Sequence, residues 1–487
     1  MDLSSLKEQL RRENPLLVDA VAAFGKLDRV GRGLGILQRG GSFAQRIAWW
    51  PLIAVLGPFS AGKSTFINTY LGQPLQQTGT HAVDDTFTVI CYTGESEARV
   101  LPGVALDADL RFPFYKMSQE LEKVEAGQGG RIDAYLKLKT CPSERVKGLI
   151  LIDSPGFDAD AQRTATLRIT DYIMDLSDLV LVLFDANRPE PGAMRDTLHH
   201  LVAGTVNRTD SSKFLYILNR MDVTAREDNP EEVVGAWQRA LAQHGLTAGK
   251  FYRIYSPEAA LPIADEALRR RFEGKRDKDL ADIHGRMAQV RVERSYRIVG
   301  TLEKMAREIE DGFVPRIRDL RARWRRATLR FDALFFGLAL AVCLGAYLLA
   351  GLPAEGQVLP GWLSWIFEAS WRFIPFVILV AAGAGFAHAK ARGLAEGRVR
   401  RALSRETPPG AEREALEGAL DRNTVWWRSV FLPEPAGWGT GARRRIREAI
   451  AGAETLVQAL NDRYAHPSGT RPESPSSPNQ TESGRTE

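Results

Sequence analysis

Residues 57–64 have the types and spacing of a phosphate-binding loop. They read Gly-Pro-Phe-Ser-Ala-Gly-Lys-Ser, in which two glycines separated by four residues are followed by a lysine and a hydroxyl residue. In such a loop the backbone N–H groups surround the phosphates, and the N-terminus of the following helix adds positive potential. Lys63 is expected to contact the β- and γ-phosphates, and the Ser64 hydroxyl to bind Mg²⁺. The pattern predicts a site for a nucleoside triphosphate.

A second motif supplies a carboxylate and a glycine for the same phosphates. Residues 153–156 read Asp-Ser-Pro-Gly and follow the apolar run 149–152. Asp153 is expected to hold Mg²⁺ through a water molecule, and the amide of Gly156 to contact the γ-phosphate. Alone, this four-residue pattern is also typical of an ordinary turn. Its position after the phosphate loop is what favours a role in nucleotide binding.

A third motif, at residues 219–222, addresses the base. It reads Asn-Arg-Met-Asp and resembles the guanine-reading motif Asn-Lys-x-Asp. The Asp222 carboxylate would accept two hydrogen bonds from the N1 and N2 edge of guanine, a pair of donors that adenine lacks. Arg220 stands where lysine is usual and can stack along the base, and Ser256 lies in a loop that would also contact it. GTP is therefore the expected nucleotide.

Hydrolysis needs a hydroxyl that closes over the γ-phosphate and a group that orients the attacking water. The candidate hydroxyls in residues 78–88 are Thr80, Thr86 and Thr88. We favour Thr86, although Thr86 and Thr88 could simply alternate along a strand. Phe157 stands where small G proteins carry a glutamine, so the water must be positioned otherwise, either by Ser60 or by a second subunit. We therefore expect low basal turnover.

These motifs define a complete set of candidate site residues. The predicted nucleotide contacts are Gly57, Ser60, Ala61, Gly62, Lys63, Ser64, Thr65, Asp153, Gly156, Asn219, Arg220, Asp222 and Ser256. The predicted metal ligands are Ser64, Thr86 and Asp153, and the predicted catalytic residues are Ser60, Lys63 and Thr86.

Apolar runs place the three motifs at strand ends. Residues 52–56 lead into the phosphate loop, and residues 214–218 lead into the base-reading motif. Another apolar run, 179–184, ends at Asp185. Short apolar runs of this kind are typical of buried strands in parallel sheets. The sequence thus predicts an α/β P-loop G domain with a mixed, mostly parallel sheet over residues 51–257.

Charge and cysteine content exclude several classes of protein. The 487 residues carry a net charge of +5, and the basic residues concentrate in segments 315–330 and 390–405. Both segments flank apolar stretches, which favours juxtamembrane anchoring over nucleic-acid binding. The three cysteines lie far apart, which argues against a disulfide framework and against a structural zinc site.

Two apolar segments predict a membrane hairpin. Residues 333–352 are twenty residues without a formal charge, enough to cross about 30 Å of hydrocarbon, and residues 373–389 are a shorter second run. The connection contains tryptophans that fit an interfacial belt, and the arginine-rich flanks place both termini on the cytoplasmic side. The alternative is a helical hairpin buried in a soluble core. The second segment could also lie shallow or re-enter instead of spanning.

The chain resembles the dynamin superfamily, and most closely its EH-domain-containing branch. The residues that carry the resemblance are GPFSAGKSTFIN, DDTFTVI, IDSPGF, LVLFDANR and LNRMD, together with helical residues 278–309. The resemblance implies a nucleotide-hydrolysing domain on a helical stalk that assembles on membranes, dimerises across G domains and bends or severs bilayers. The usual switch threonines fall on Val83 and Asp84. Members of the EH-domain branch bind adenine nucleotides, so ATP stays open beside GTP.

The rest of the chain completes the predicted organisation. A helical segment, 1–50, is broken at Pro15 and Gly25, and helical stalk segments cover 258–332 and 391–464. A two-helix membrane hairpin at 333–390 replaces an EH domain, as in fusion-type and several bacterial dynamin-like proteins, which implies a bacterial inner membrane. Residues 465–487 are predicted to be a disordered tail.

The leading hypothesis is a membrane-anchored dynamin-like GTPase that forms homodimers or homo-oligomers through its G domain and stalk and remodels or tethers membrane. Its expected partners are the lipid bilayer and other copies of itself, and its expected cofactors are GTP, or ATP, and Mg²⁺. One alternative is a regulatory switch that recruits partners without mechanical work. Another is a scaffold with a degenerate nucleotide site.

Overall fold

The computed structural model describes residues 3–78, 86–107, 133–156, 164–187, 211–225, 230–243, 249–349, 365–366 and 369–464. The chain divides into two compact units. The first unit takes Met1–Asp19, Gln45–Val299 and Leu456–Glu487, and the second takes Ala20–Ala44 and Gly300–Thr455.

The first unit contains an eight-stranded sheet. Its strands are β1 (Leu52–Leu56), β2 (Phe87–Tyr92), β3 (Arg99–Pro102), β4 (Leu136–Cys141), β5 (Ile150–Asp153), β6 (Leu179–Asp185), β7 (Phe214–Asn219) and β8 (Lys250–Arg253). Their order in the sheet is β3-β4-β2-β5-β1-β6-β7-β8. Only β2 with β5 and β3 with β4 pair antiparallel, and the other pairs are parallel. This confirms the prediction of a mixed, mostly parallel sheet.

The central strands are apolar along their whole length because both faces of the sheet are covered. Every residue of β1, β6 and β7 is buried. Strands β1, β5, β6 and β7 run parallel, so their carboxyl ends meet at one edge of the sheet. The three sequence motifs follow β1, β5 and β7, so this edge carries the candidate site.

The helices have the following bounds. They are α1 (Leu3–Glu13), α2 (Leu16–Leu34), α3 (Lys63–Leu71), α4 (Val104–Asp107), α5 (Thr164–Leu176), α6 (Met221–Thr224), α7 (Pro230–Gln243), α8 (Glu266–Arg307), α9 (Val314–Leu349), α10 (Ser370–Glu406), α11 (Ala411–Thr424) and α12 (Thr440–Tyr464). A π-helical segment, Glu308–Phe313, lies between α8 and α9. The sequence predicted a break at Gly25, and this was wrong, because α2 continues through it. Glycine costs about 1 kcal/mol in a helix, and burial of the neighbouring Phe24 and Leu27 outweighs that cost.

The middle of helix α8 is part of the first unit's core. Ile283, Met287 and Val290, spaced four and three residues apart, join the buried cluster formed by the sheet and α3. At the opposite edge of the sheet from the motifs, Asp178 precedes β6 and accepts a hydrogen bond from the backbone N–H of Leu52 at 2.9 Å. The Asp178 carboxylate also pairs with Arg294 at 3.2 Å and with Arg297 at 2.6 Å. These bonds tie α8 to the starts of β1 and β6.

The second unit is helical. Helices α9 and α10 pack along each other, and α11 packs against both. Trp324 of α9 is fully buried, and Arg321 beside it reaches the Asn423 side chain at 3.3 Å. In the N-terminal part of this unit, Asp28 accepts hydrogen bonds from the Ser42 hydroxyl at 2.5 Å and from the Phe43 N–H at 2.7 Å.

The end of α9 and the start of α10 carry the two predicted apolar segments. Both helices are long and apolar enough to cross a membrane, and no part of either apolar window is buried inside the protein. Leu340 and Leu349 on α9, like Ile378 and Leu379 on α10, are exposed. The alternative of a hairpin buried in a soluble core therefore does not describe these helices. Trp362 in the predicted connection lies outside the described residues.

Candidate nucleotide-binding site

The phosphate loop leaves β1 and enters α3 through a backbone that requires unusual dihedral angles. Gly57 has φ +154°, Ser60 has φ +63° and Gly62 has φ +82°. A Cβ on Gly57 would lie 2.4 Å from the carbonyl oxygen of Leu183, so only glycine fits where the loop crosses β6. Ser60 holds a left-handed conformation at a cost of about 1–2 kcal/mol. The loop is thus a shaped backbone surface followed by a helix N-terminus at Lys63.

Lys63 lies folded over the loop. Its ammonium group donates to the carbonyl oxygens of Gly57 and Pro58, each at 3.0 Å. Burial lowers the pKa of Lys63 to about 8, and the attraction of Asp153 offsets this only partly. A buried ammonium next to a loop of backbone N–H groups is suited to an anionic ligand, whose charge would favour the protonated form.

Asp153 and Ser64 converge at the carboxyl end of the sheet. The Ser64 hydroxyl lies 3.4 Å from the Asp153 carboxylate, a long and weak hydrogen bond. The same carboxylate oxygen accepts a hydrogen bond from the Gln76 side-chain amide at 2.6 Å. Lys139 in turn donates to the Gln76 side-chain oxygen at 2.5 Å. Gln76 and Lys139 were not predicted from the sequence, because neither a polar residue after α3 nor a lysine on β4 belongs to a recognisable motif.

The donor set fits a magnesium ion, which prefers a few carboxylate or hydroxyl oxygens and takes its other ligands from phosphate and water. Ser64 and Asp153 supply two such oxygens within hydrogen-bonding range of each other. Thr86, the third predicted ligand, immediately precedes β2, and its buried hydroxyl has no hydrogen-bond partner among the described residues. Thr88 lies opposite Asp153 in the register of β2 and β5 and is buried.

Asn219 links the base-reading motif to the phosphate loop. It ends β7, and its side-chain amide donates to the carbonyl oxygen of Ala61 at 2.8 Å. A Cβ on Gly62 would lie 2.3 Å from this amide nitrogen. Two segments far apart in the sequence are therefore in direct contact, as one nucleotide site requires.

The other base-reading residues lie beside this contact. Arg220 has φ +65° and caps α6, and its guanidinium pairs with Asp185 at 3.0 Å. The sequence predicted that Arg220 stacks along the base, and its pairing with the residue at the end of β6 was not foreseen. Asp222 is buried and accepts a hydrogen bond from the Leu261 N–H at 2.9 Å. The buried Ser256 hydroxyl has no hydrogen-bond partner within the described ranges.

The remaining predicted contacts lie on the same edge. Ala61 is buried within the loop, and Thr65 is in the first turn of α3. A Cβ on Gly156 would lie 2.8 Å from the Cα of Phe59, so this glycine permits close packing against the phosphate loop. The structure brings together the residues that follow β1, β5 and β7. Four residues named in the sequence predictions lie outside the described residues, namely Thr80, Val83, Asp84 and Phe157.

Part of the chain matches a known protein family. Residues 53–220 match the sequence model of the dynamin family. The chain is 25% identical over 183 residues to a probable chloroplastic transmembrane FZO-like GTPase of Arabidopsis thaliana, covering 38% of this chain and 16% of that protein. It is 26% identical over 243 residues to the EH domain-containing protein 2 of Rattus norvegicus, covering 48% and 42% respectively.

Two further proteins are similar to parts of the chain or to its fold at low identity. EH domain-containing protein 1 of Homo sapiens is 26% identical over 182 residues, covering 35% of this chain and 31% of that protein. A solved structure of an oligomerised bacterial dynamin pair, described as sensing and tethering membranes over long range, is 14% identical with a TM-score of 0.32, and covers 94% of this chain and 73% of that one. The chain spans less than half the length of these curated relatives.

Proposed function

We propose that this chain, whose residues 53–220 match the sequence model of the dynamin family, is a membrane-anchored dynamin-like GTPase that self-associates and remodels or tethers membranes. The observation that carries the proposal is the contact between Asn219 and the phosphate loop, because it joins the base-reading motif to the triphosphate motif. The same chain carries two exposed apolar helices of membrane-spanning length.

In this proposal each part of the site has one task. The loop N–H groups and Lys63 bind the β- and γ-phosphates, and Gly156 contacts the γ-phosphate. Ser64, Asp153 and Thr86 hold Mg²⁺, which supplies charge neutralisation of the phosphates when bound. Ser60 orients the attacking water. The Gln76 amide, bonded to Asp153, fixes the direction of that carboxylate.

The base is assigned to guanine on the chemistry of Asp222. A buried carboxylate recognises the two N–H donors of the guanine edge, and an adenine offers no such pair. The pairing of Arg220 with Asp185 favours no base, because it directs the guanidinium to a carboxylate. ATP is the second candidate, because the chain resembles the EH-domain-containing branch, and that resemblance implies that adenine nucleotides can also be bound.

The membrane part of the proposal places the apolar ends of α9 and α10 in the bilayer. Their exposed leucines, isoleucines and valines would otherwise face water. Arginine-rich flanks at both ends of the hairpin put both termini on the cytoplasmic side, and we assign the chain to a bacterial inner membrane. Assembly through the G domain and the stalk rests on the family resemblance.

The test is reconstitution of the full chain in liposomes at a series of protein densities, with GTP and ATP hydrolysis measured at each. Turnover per molecule is expected to rise with density, to prefer GTP and to vanish in Lys63→Ala. Lys250→Ala, which removes an exposed lysine, is the matched control and should behave as the unmodified chain. Turnover that does not change with density would contradict self-association and favour a switch. Absence of any turnover would favour a scaffold.

A further inference from the structure

The connection between α11 and α12 exposes several large apolar side chains. We call residues 425–432 the aromatic loop. Trp426 is 82% exposed, Trp427 71%, Phe431 70% and Leu432 48%. The two tryptophan rings pack edge to face with their centroids 5.7 Å apart. Soluble surfaces rarely expose such side chains together, and a contiguous apolar patch of this kind usually marks an interaction site.

The backbone of the aromatic loop is fixed by one arginine. The Arg392 guanidinium donates to four backbone carbonyl oxygens around the start of the loop. These belong to Thr424 at 3.3 Å, Val425 at 2.7 Å, Trp426 at 2.9 Å and Arg428 at 3.0 Å. Arg321 adds a bond to the carbonyl oxygen of Ser429 at 3.1 Å. Because the carbonyl groups face these arginines, the loop is held with its aromatic side chains outward.

Arg392 also fixes the position of the aromatic loop along the axis of α10, close to the end of the apolar segment. It follows the apolar segment 373–389 by three residues on the same helix, which is about 4.5 Å along the axis. Its guanidinium lies over the ring of Trp324 on α9, 5.2 Å from the ring centroid. The loop is therefore bonded to a residue one helical turn from the end of the apolar segment.

Exposed apolar residues also lie just outside the two apolar segments, close to Arg392 along the helix axes. Leu329 on α9 is 41% exposed and Leu394 on α10 is 50% exposed. They lie four residues before 333 and five residues after 389, which is about 6–8 Å outside the apolar segments. Exposed basic residues accompany them, namely Arg325, Arg326, Arg330 and Lys390. Aromatic and basic side chains together are typical of the headgroup layer of a membrane.

We propose that the aromatic loop inserts into the headgroup layer of the cytoplasmic leaflet, as a third contact with the bilayer beside the two helices of the hairpin. This inference rests on the proposed membrane anchoring. The occupant is the lipid surface because the loop is bonded to Arg392, three residues past the apolar segment of α10, beside exposed basic residues such as Lys390. The tryptophan rings would lie at the boundary between headgroups and acyl chains, with the nearby arginines at the phosphates.

The test measures the depth of single labelled positions in the full chain. Cys343, the exposed cysteine, is replaced by alanine, and an environment-sensitive fluorophore is attached to Phe431→Cys in liposomes of neutral and anionic phospholipid. Lipids with nitroxides near the headgroup are expected to quench it at least twice as strongly as lipids with nitroxides deep in the acyl chains. Leu340→Cys, within the apolar segment of α9, should show the opposite order.

A third position and a second variant serve as controls. Glu414→Cys lies near the start of α11, where the preceding Glu412 pairs with Arg316, about 25 Å along α9 from residue 333, and it should not be quenched by either lipid. In Trp426→Ser/Trp427→Ser the shallow quenching at position 431 should fall at least twofold. Because both rings are exposed, this variant is expected to keep its circular dichroism spectrum.

The outcomes separate the two proposals. Quenching at position 340 without quenching at 431 would refute insertion of the loop and leave the membrane anchor standing. No quenching at either position would overturn the membrane anchor and this inference with it. A label at 431 that is shielded from lipid and cross-links to a second copy would show that the loop is an interface between copies, and would also refute the inference.

Discussion

The binding of nucleotide should weaken as the pH rises through the pKa of Lys63. Burial lowers that pKa to about 8, so about 90% of the side chains are charged at pH 7 and about 10% at pH 9. Bound phosphates favour the charged form, so binding above pH 8 requires uptake of a proton. The dissociation constant for GTP should therefore increase about tenfold between pH 7 and pH 9, which equals about 1.4 kcal/mol.

The assay is equilibrium binding of a fluorescent GTP analogue at constant ionic strength across this pH range. Lys63→Met should bind more weakly and lose this pH dependence, so any slope that it retains belongs to the nucleotide and is subtracted. Lys250→Met, which lacks an exposed lysine instead, should keep the slope of the unmodified chain. Parallel profiles for the unmodified chain and Lys63→Met would refute the reasoning, because Lys63 would then not titrate in this range.

Three further changes probe other parts of the structure. Asp178→Ala should reduce the free energy of unfolding by about 3 kcal/mol, since it removes the carboxylate that pairs with the largely buried Arg294 and accepts from the Leu52 N–H. Thermal denaturation should show a smaller loss for Asp178→Asn, which keeps an acceptor, and equal losses would contradict the ion-pair account. Gly62→Ala should abolish nucleotide binding, because its Cβ would collide with the side-chain amide of Asn219. Gly72 also has a positive φ, but a Cβ there would meet no other atom, so Gly72→Ala should bind nucleotide normally in the same titration. Asp222→Asn should weaken GTP binding about 10–100-fold and leave ATP binding unchanged, because hydrogen bonds to a charged acceptor contribute about 1.5–3 kcal/mol. In competition binding, an equal loss for both nucleotides would refute base recognition by this carboxylate.

The sheet and the position of the motifs could be predicted because they depend on local patterns. Short apolar runs such as 52–56 and 179–184 are typical of strands that are covered on both faces of a sheet. Gly57 and Gly62 are needed in the phosphate loop because its backbone has positive φ angles there. The contacts between segments could not be predicted in the same way. Gln76 reaches Asp153, and Arg220 reaches Asp185, only because the folded sheet brings those elements together.

Helix boundaries also depend partly on local sequence and partly on packing in the folded unit. The break near Pro15 follows from its missing N–H and fixed φ, and α1 ends just before it. The expected break at Gly25 did not occur, because burial of neighbouring side chains in the folded unit decides the outcome at a glycine. Local propensity therefore predicts a helix end well at proline, where the backbone hydrogen bond cannot form. It predicts poorly at glycine, where the helix is only less favourable.

The first unit is discontinuous in the sequence, and this determines the order in which it can be completed during synthesis. Tyr296 on α8 donates a hydrogen bond to Asn461 on α12 at 2.7 Å, and both belong to this unit. About 160 residues, including both apolar helices, are translated between them. At about 5–20 residues per second, a ribosome needs about 8–30 s for that stretch. Both apolar helices therefore leave the ribosome while the first unit still lacks its last segment, so that unit can be completed only after they have emerged.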